Sequence, residues 1–422
     1  MLRAVITGLG MVTPLGIGVE KSWQALCAGK SGIGRVTRFD VTTMHTKVGG
    51  EVKDFNPKDF LTDKLARRTD RCQQFALAAA RMALEDSRLQ ITSDIAERVG
   101  MVTGTAFGGL ETTVNGQNMY MNGDRNDISP FLVPMLLTSM ASGQIAMQFG
   151  AKGPNFSLTT ACAASTHAMG DACRIIQHGE ADVVIVGGAE AAQVPILYHA
   201  FGIMGATTEW TGDPQKASRP FDADRDGFVP AEGAAVLILE ELQHALRRNA
   251  SIVAEVVGYA TTADAYHITS PAPDGEGAAR CMRLALLDAG VKPEDVDYVN
   301  AHGTSTKLND STETAALKSV FGAHAARIPV SSNKSMLGHT MGASGAIEAA
   351  FTVLTIRDGI IPPTINYAKP DPECDLDYVP NVARKARVQT ALSSSFGFGG
   401  TNGVLVLRRY ADKPQRGPDI DG

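Results

Sequence analysis

Aromatic side chains are scarce, 6% of 422 residues with two tryptophans, whereas glycine reaches 43 and proline 20. With 44% hydrophobic residues, that balance fits a tightly packed α/β enzyme with many turns and argues against a fibrous or disordered chain. Length alone suggests two or three domains. Cysteine is sparse too: Cys27, Cys72, Cys162, Cys173, Cys281 and Cys374 share no repeating spacing and form no CxxC pair. This argues against a disulfide framework and structural zinc, and predicts a reducing, cytoplasmic setting. No apolar run approaches about 18 residues, so no membrane-spanning helix is expected. The opening MLRAVITGLGMVTPLG lacks a basic region and a small-residue cleavage site, and reads as a strand and its turn. A net charge of −6 gives no support to nucleic-acid or anionic-membrane binding. No linker of low complexity divides the chain; only 411–422, polar with two prolines, is expected to form a flexible tail.

What is present is a series of short β-branched runs. They predict strands over 3–8, 98–104, 155–160, 182–188, 234–242, 252–260, 296–303, 327–333, 390–397 and 403–409. Helical patterns lie between them, as over 70–86 and 276–289, and the alternation predicts a largely parallel sheet covered by helices. The sequence also echoes itself. RVGMVTGTAFGG precedes NFSLTTACAASTHAMGDACRII, and VDYVNAHGTST precedes IPVSSNKSMLGHTMGASGAIEAA. Both stretches place a strand and polar turn ahead of a strand that breaks into a small-residue helix. The echo predicts two similar α/β halves, 1–250 and 251–410.

Three segments carry chemistry. Cys162, in LTTACAASTHAMG, stands between a strand and a helix rich in Ala and Gly. The helix dipole and free N–H groups there are expected to lower its pKa from about 8.5 towards about 7 or below. A lone cysteine is more often a small buried residue, the reading kept for Cys173. His302 follows a strand in NAHGTSTKLND, and NKSMLGHTMGASGAIEA carries Lys334, His339 and Glu348. Each histidine alone reads as structural, but a cysteine and two histidines at strand ends of one sheet lie where α/β sites gather. Metal binding by the trio competes; no HxxxH or further thiol at ligand spacing supports it. GFGGTNG at 397–403 permits close approach of main-chain N–H groups and suits an oxyanion hole. GLGMVT after the first strand is not a dinucleotide fingerprint, because Thr13 replaces the third glycine and Pro14 would interrupt the helix.

Taken together, TACAAS, NAHGTSTxLND, NKSxxGHxxGAxGxxE and GFGGTN resemble the signature segments of β-ketoacyl-[acyl carrier protein] synthases, the elongating synthase II type in particular. DAYHITSP and SRPFDADRDGFVPAEGA are similar as well, and the likeness runs from about residue 3 to 409. It implies the thiolase-like fold, two similar αβαβα halves forming a five-layered core, and a homodimer, with a heterodimer the alternative in a polyketide pathway. It further implies decarboxylative Claisen condensation with malonyl-ACP in fatty-acid elongation, or the same chemistry in a specialised polyketide or polyene pathway. Cys162 resembles the acyl-accepting nucleophile, and His302 and His339 the pair promoting decarboxylation. Lys334 resembles the cation of that network and Glu348 its carboxylate partner. The N–H groups of Cys162 and Phe398 match the oxyanion hole, with Phe398 as gate. Thr304 and Thr306 resemble the threonines that hold phosphopantetheine, and His267 and Gly399 stand with them as substrate-binding positions. No cofactor or metal is implied, since phosphopantetheine arrives on the acyl carrier protein. Lys307 departs from the family, which usually has Pro there.

The family resemblance extends to two further expectations. Lys64, Arg67, Arg68 and Arg71, spaced i, i+3, i+4, i+7, are read as one basic helical face for the acidic carrier protein. Phe107, in GTAFGGLE, stands where long-chain synthases carry an aliphatic residue and synthase I enzymes a glycine, and predicts a shortened or redirected acyl tunnel. Degradative thiolase is disfavoured because GFGGTN holds no second cysteine. A non-catalytic chain-length-factor partner is disfavoured because Cys162, His302 and His339 are all present.

Overall fold

Residues 1–411 are described by the computed structural model, so the expected tail lies outside the described residues except for Ala411. The β-branched runs form ten main strands. β1 is Ala4–Thr13, β2 Val99–Gly104, β3 Asn155–Leu158, β4 Val183–Glu190 and β5 Gly233–Glu241. β6 is Ala254–Ala263, β7 Tyr298–Asn300, β8 Val330–Ser331, β9 Thr390–Gly397 and β10 Thr401–Arg409. They lie in one sheet in the order β8-β7-β9-β10-β6-β1-β5-β4-β2-β3. Cut between β6 and β1, the sheet gives two five-stranded halves of the same order, β1-β5-β4-β2-β3 and β6-β10-β9-β7-β8. The halves join where Ala4–Ile6 pair antiparallel with Val256–Ala254.

The expected largely parallel sheet is corrected. β2 runs parallel to β3 and β4, and β7 to β8 and β9. The other main pairings, β1 with β5 and β6, β4 with β5, and β10 with β9 and β6, are antiparallel. Sequence periodicity does not carry strand direction. The turn Phe398–Gly400 between β9 and β10 is too short for a crossover helix and forces a hairpin.

Five helices complete the layers: α1 Arg71–Ser87, α2 Ala164–Gln177, α3 Glu276–Ala289, α4 Lys307–Phe321 and α5 Ser344–Asp358. α2 and α5 pack between the two halves of the sheet, α1 covers the outer face of the first half, and α3 backed by α4 that of the second. Three large apolar clusters fill the gaps between these layers. Asp70 starts α1 by accepting the Cys72 N–H at 2.8 Å in a capping box with Gln73. Gly10 lets α1 lie against β1, since a Cβ there would meet the Ala79 carbonyl oxygen at 2.0 Å. That approach is what the glycines of GLGMVT serve.

The same capping corrects the basic face. A short helix ends at Ala66, and Asp70 caps a new one, so Lys64, Arg67, Arg68 and Arg71 do not share one helical surface. Lys64 and Arg67 are exposed, while Arg68 stacks on Phe131 with its guanidinium carbon 4.3 Å from the ring centroid. Arg71 turns inward to hold the buried Glu232 carboxylate with two bonds of 2.8 and 2.9 Å, and lies over Phe75.

β3 and β8, the outermost strands of their halves, lead to two matching turns. After β3 the chain forms a one-turn helix, Ala161–Ala163, and continues as α2; after β8 and an additional short helix, Lys334–Leu337, it forms Met341–Ala343 and continues as α5. Ala161 (φ 48°) and Met341 (φ 47°) both enter these turns in the left-handed region, which side chains other than glycine rarely adopt.

Candidate active site

The left-handed Ala161 throws Cys162 to the floor of a cavity of about 390 Å³ between the two halves. His302, from the turn after β7, and His339, from the turn before α5, share that floor. One ligand-type atom from each of Cys162, His302 and His339 lies within 4.8 Å of the others. The same separation would let the trio span a metal ion, so distance does not distinguish the two chemistries. Hydrogen bonding says more. His339 Nε2 stands 3.1 Å from Cys162 Sγ, while its Nδ1 accepts the Met341 N–H at 3.2 Å. A nitrogen that accepts carries no proton, so His339 is protonated on Nε2 and points that donor at the sulfur. His302 Nδ1 stands 3.4 Å from Lys334 Nζ, an ammonium donor, which leaves its proton on Nε2 too. Burial first, and then Lys334, holds both imidazoles well below their ordinary pKa. They are neutral donors with a fixed tautomer.

Lys334 is fully buried and ion-paired with Glu348. Burial raises the Glu348 carboxyl to about 7 against the pull of Lys334. Glu313, not singled out from sequence, accepts the N–H groups of His302 and Gly303 at 2.8 Å each and fixes that turn. In the sequence it is one glutamate among many on a helix.

The thiol behaves differently from the dipole argument. The Lys334 charge and the main-chain N–H groups of Phe398 and of Cys162 itself favour the thiolate. Burial outweighs them and raises the thiol to about 11. The expected lowering is therefore corrected: Cys162 is half-buried, and the desolvation it suffers there outweighs the pull of the helix terminus, so the resting residue is a thiol.

Thr304, Thr306 and Lys307 line the cavity, with the two threonine hydroxyls 2.9 Å apart. Phe107 lines it as well, its ring 6.5 Å from that of Phe201 in a T-shaped pair. Phe398, half-buried, lines the cavity together with the thiol. His267 and Gly399 stand outside the wall. His267 is exposed and accepts the N–H groups of Thr269 and Ser270, residues that do line the cavity. Gly399 is exposed and donates to the Ile268 carbonyl at 2.8 Å. Both shape the rim through their neighbours. Phe201, Phe228 and Met341 form the apolar end of the cavity and went unread, because separate apolar residues far apart in sequence carry no local signal.

Comparison with known proteins agrees with this geometry. The family described as "Beta-ketoacyl synthase, N-terminal domain" matches residues 2–245, and "Beta-ketoacyl synthase, C-terminal domain" matches residues 253–368. A 3-oxoacyl-[acyl-carrier-protein] synthase 2 of Synechocystis sp. is 51% identical over 408 residues, covering 97% of this chain and 98% of that protein. Among solved structures, the ishigamide ketosynthase/chain length factor superposes with a TM-score of 0.90 at 40% identity, over 97% of this chain and 100% of that one. A type II polyketide ketosynthase, solved with its acyl-carrier protein and bound to the hexaketide, gives 0.88 at 37% identity, with the same coverage.

Proposed function

This chain belongs to the β-ketoacyl synthase family, and we propose that Cys162, His302 and His339 carry out its decarboxylative condensation of an acyl group with malonyl-ACP. The chain is an acyltransferase of the 3-oxoacyl-[acyl-carrier-protein] synthase class with a thiolase-like fold, and its partner is acyl carrier protein. The observation that carries the residue assignment is the fixed tautomer: two Nε2–H donors beside one thiol.

Condensation proceeds in two stages. Cys162 sulfur attacks the acyl-ACP carbonyl; the acyl–sulfur bond to the phosphopantetheine arm breaks, and the departing arm takes the thiol proton. Malonyl-ACP then loses CO2, leaving its electron pair as an enolate whose oxygen accepts the Nε2–H groups of His302 and His339. Donors placed where charge develops contribute about 2.7–4 kcal/mol each. The enolate carbon attacks the acyl-Cys162 carbonyl, its oxyanion accepts the N–H groups of Cys162 and Phe398, and collapse expels the Cys162 thiolate with 3-oxoacyl-ACP as product; the thiolate takes a proton from water and returns to the resting thiol. Lys334 and Glu348 fix the histidines, Thr304 and Thr306 receive the phosphopantetheine arm, and the protein needs no cofactor of its own.

Fatty-acid elongation is the first reading. A specialised polyketide or polyene pathway is the second, favoured by Phe107 packing against Phe201 in the wall of the acyl cavity. We also infer a homodimer. Edge strand β3 leaves one side unpaired, and Val133, Met147 and Phe156 are exposed on β3 and the helical segments near it. A second copy of the same edge fits it. No helix among the described residues is long and apolar enough to cross a membrane, and the six cysteines are free, which supports a cytoplasmic site of action. Mass spectrometry after incubation with acyl-ACPs tests the central claim: the native enzyme gains one acyl group on Cys162 and Cys162→Ala gains none. Acylation of another cysteine refutes it.

A further inference from the structure

Glu190 ends β4, fully buried, and the mechanism above makes no use of it. Its partners are not cations. Oε2 accepts the main-chain N–H groups of Ala106 at 2.7 Å and Gly342 at 3.1 Å. Oε1 accepts the Thr105 hydroxyl at 3.1 Å and the Phe107 N–H at 3.3 Å. Burial raises this carboxyl to about 7, and those four donors oppose the rise.

The repeat of the fold shows what this arrangement replaces. Glu190 and Gly397 are counterparts: each is the last residue of its strand and pairs with the first residue of the next, Gly233 or Thr401. Cys162 and Gly342 are counterparts too, the middle residues of the matching one-turn helices. In the thiol-bearing half the strand ends in glycine, and a Cβ at Gly397 would lie 3.2 Å from the Cys162 nitrogen. That N–H stays clear for a substrate oxyanion. In the other half, Glu190 reaches onto the Gly342 N–H and fills the equivalent cleft with its own carboxylate.

The filled cleft ties together two walls of the working one. Ala106 and Phe107 belong to the turn bearing the expected acyl-chain gate. Gly342 belongs to the turn in which Met341 lines the cavity and fixes the His339 tautomer. Space between the turns is tight, since a Cβ at Gly342 would meet the Ala106 nitrogen at 2.2 Å. We propose that Glu190 is a positioning residue for the condensation, fixing the Phe107 turn against the His339–Met341 turn so that acyl-chain selection and decarboxylation are set together. The proposal rests on the ketosynthase reading above.

Glu190→Gln tests it, because its amide presents N–H groups to main-chain N–H groups and keeps one acceptor where two stood. Three quantities are measured beside the native enzyme: rates of Cys162 labelling by C6 and C14 acyl-ACP, malonyl-ACP decarboxylation, and thermal unfolding. Decarboxylation is expected to fall on the order of 10-fold or more in kcat, with KM changing less. The C6-to-C14 labelling ratio is expected to move about threefold or more towards unity. Glu190→Asp, which keeps the charge, is expected to recover part of the decarboxylation. A folded Glu190→Gln with native ratio and native decarboxylation overturns the proposal. Should that variant not fold, Glu190→Asp with lowered thermal stability but both native activities overturns it equally. Failure of the native enzyme to be labelled at Cys162 sinks the ketosynthase reading instead, so the two failures are distinct.

Discussion

Phe107→Gly enlarges the acyl end of the cavity, and the structure sets the scale of the effect. The phenyl ring is half-buried and faces Phe201. Removing it deletes an aromatic pair of about 0.5–1.5 kcal/mol and opens space beside Phe201. The vacated volume accepts roughly four methylenes, and each buried methylene contributes about 0.8 kcal/mol. The gain for a chain long enough to use that space is then about 3 kcal/mol at most, or roughly 150-fold in kcat/KM at about 1.4 kcal/mol per decade. A C6 chain that stops short of the ring gains nothing. The assay is kcat/KM for C6 to C16 acyl-ACPs in the native enzyme and the variant, with Phe107→Leu expected to fall between them. A native enzyme that extends C14 as well as C6, or a glycine variant with no gain at C14, refutes the gate. The native preference also decides between the pathways, since a tunnel closed to C14 suits short or stiff unsaturated chains.

Four other outcomes follow from the geometry. Arg71→Ala strands the buried Glu232 carboxylate and should cost about 3–5 kcal/mol in chemical denaturation, as breaking a buried pair does. Arg67 and Arg68, which share no helical face with the inward Arg71, remain candidates for carrier docking; charge reversal at both should leave stability within about 1 kcal/mol and raise KM for acyl-ACP, an effect that shrinks with added salt, and unchanged kinetics at low salt remove them as docking residues. Lys334→Ala should abolish decarboxylation and destabilise the protein more at pH 8 than at pH 5.5: Glu348, already raised to about 7 with Lys334 beside it, is neutral at pH 5.5 in either protein, and losing the lysine pushes it higher still, so that only at pH 8 does the variant lose an ionised, paired carboxylate; equal Tm losses at both would argue against the pair. Glu313 is likewise raised to about 7, so between about pH 4.5 and 7 the folded state holds a proton that the unfolded state has lost, and stability falls as pH rises through that window. Glu313→Gln should remove up to about 1.4 kcal/mol per pH unit of that slope in denaturation midpoints.

Much of this was legible in the sequence because the signals are local. Each main strand coincides with a β-branched run, and β9 begins and ends at the residues predicted. The site segments are equally local, since Cys162, His302 and His339 each follow a strand end that the pattern marks. What escaped depends on relations across the chain. Arg71 fits helical spacing with Arg67, and only the Asp70 cap, which restarts the helix, turns it inward onto Glu232. A helix dipole acting on Cys162 can be inferred from one segment, whereas the burial that reverses its effect comes from layers packed by both halves. Strand direction, the apolar end made by Phe201, Phe228 and Met341, and the four donors on Glu190 are likewise products of tertiary neighbours.

The matching order of the two five-stranded halves bears on how such an enzyme arises. The thiol comes from the first half and the histidines with Lys334 from the second, so neither half alone holds a complete active site. A single ancestral half would have had to pair with its own copy, forming two equivalent clefts under one set of residues, where any change favouring nucleophile or proton donor struck both. Two joined halves that differ in sequence are free of that constraint. One cleft has a glycine at its strand end and admits substrate; the other has a carboxylate there and serves as scaffold. Sequence drift in the scaffold cleft is then constrained less by chemistry than by the spacing it imposes on its active twin.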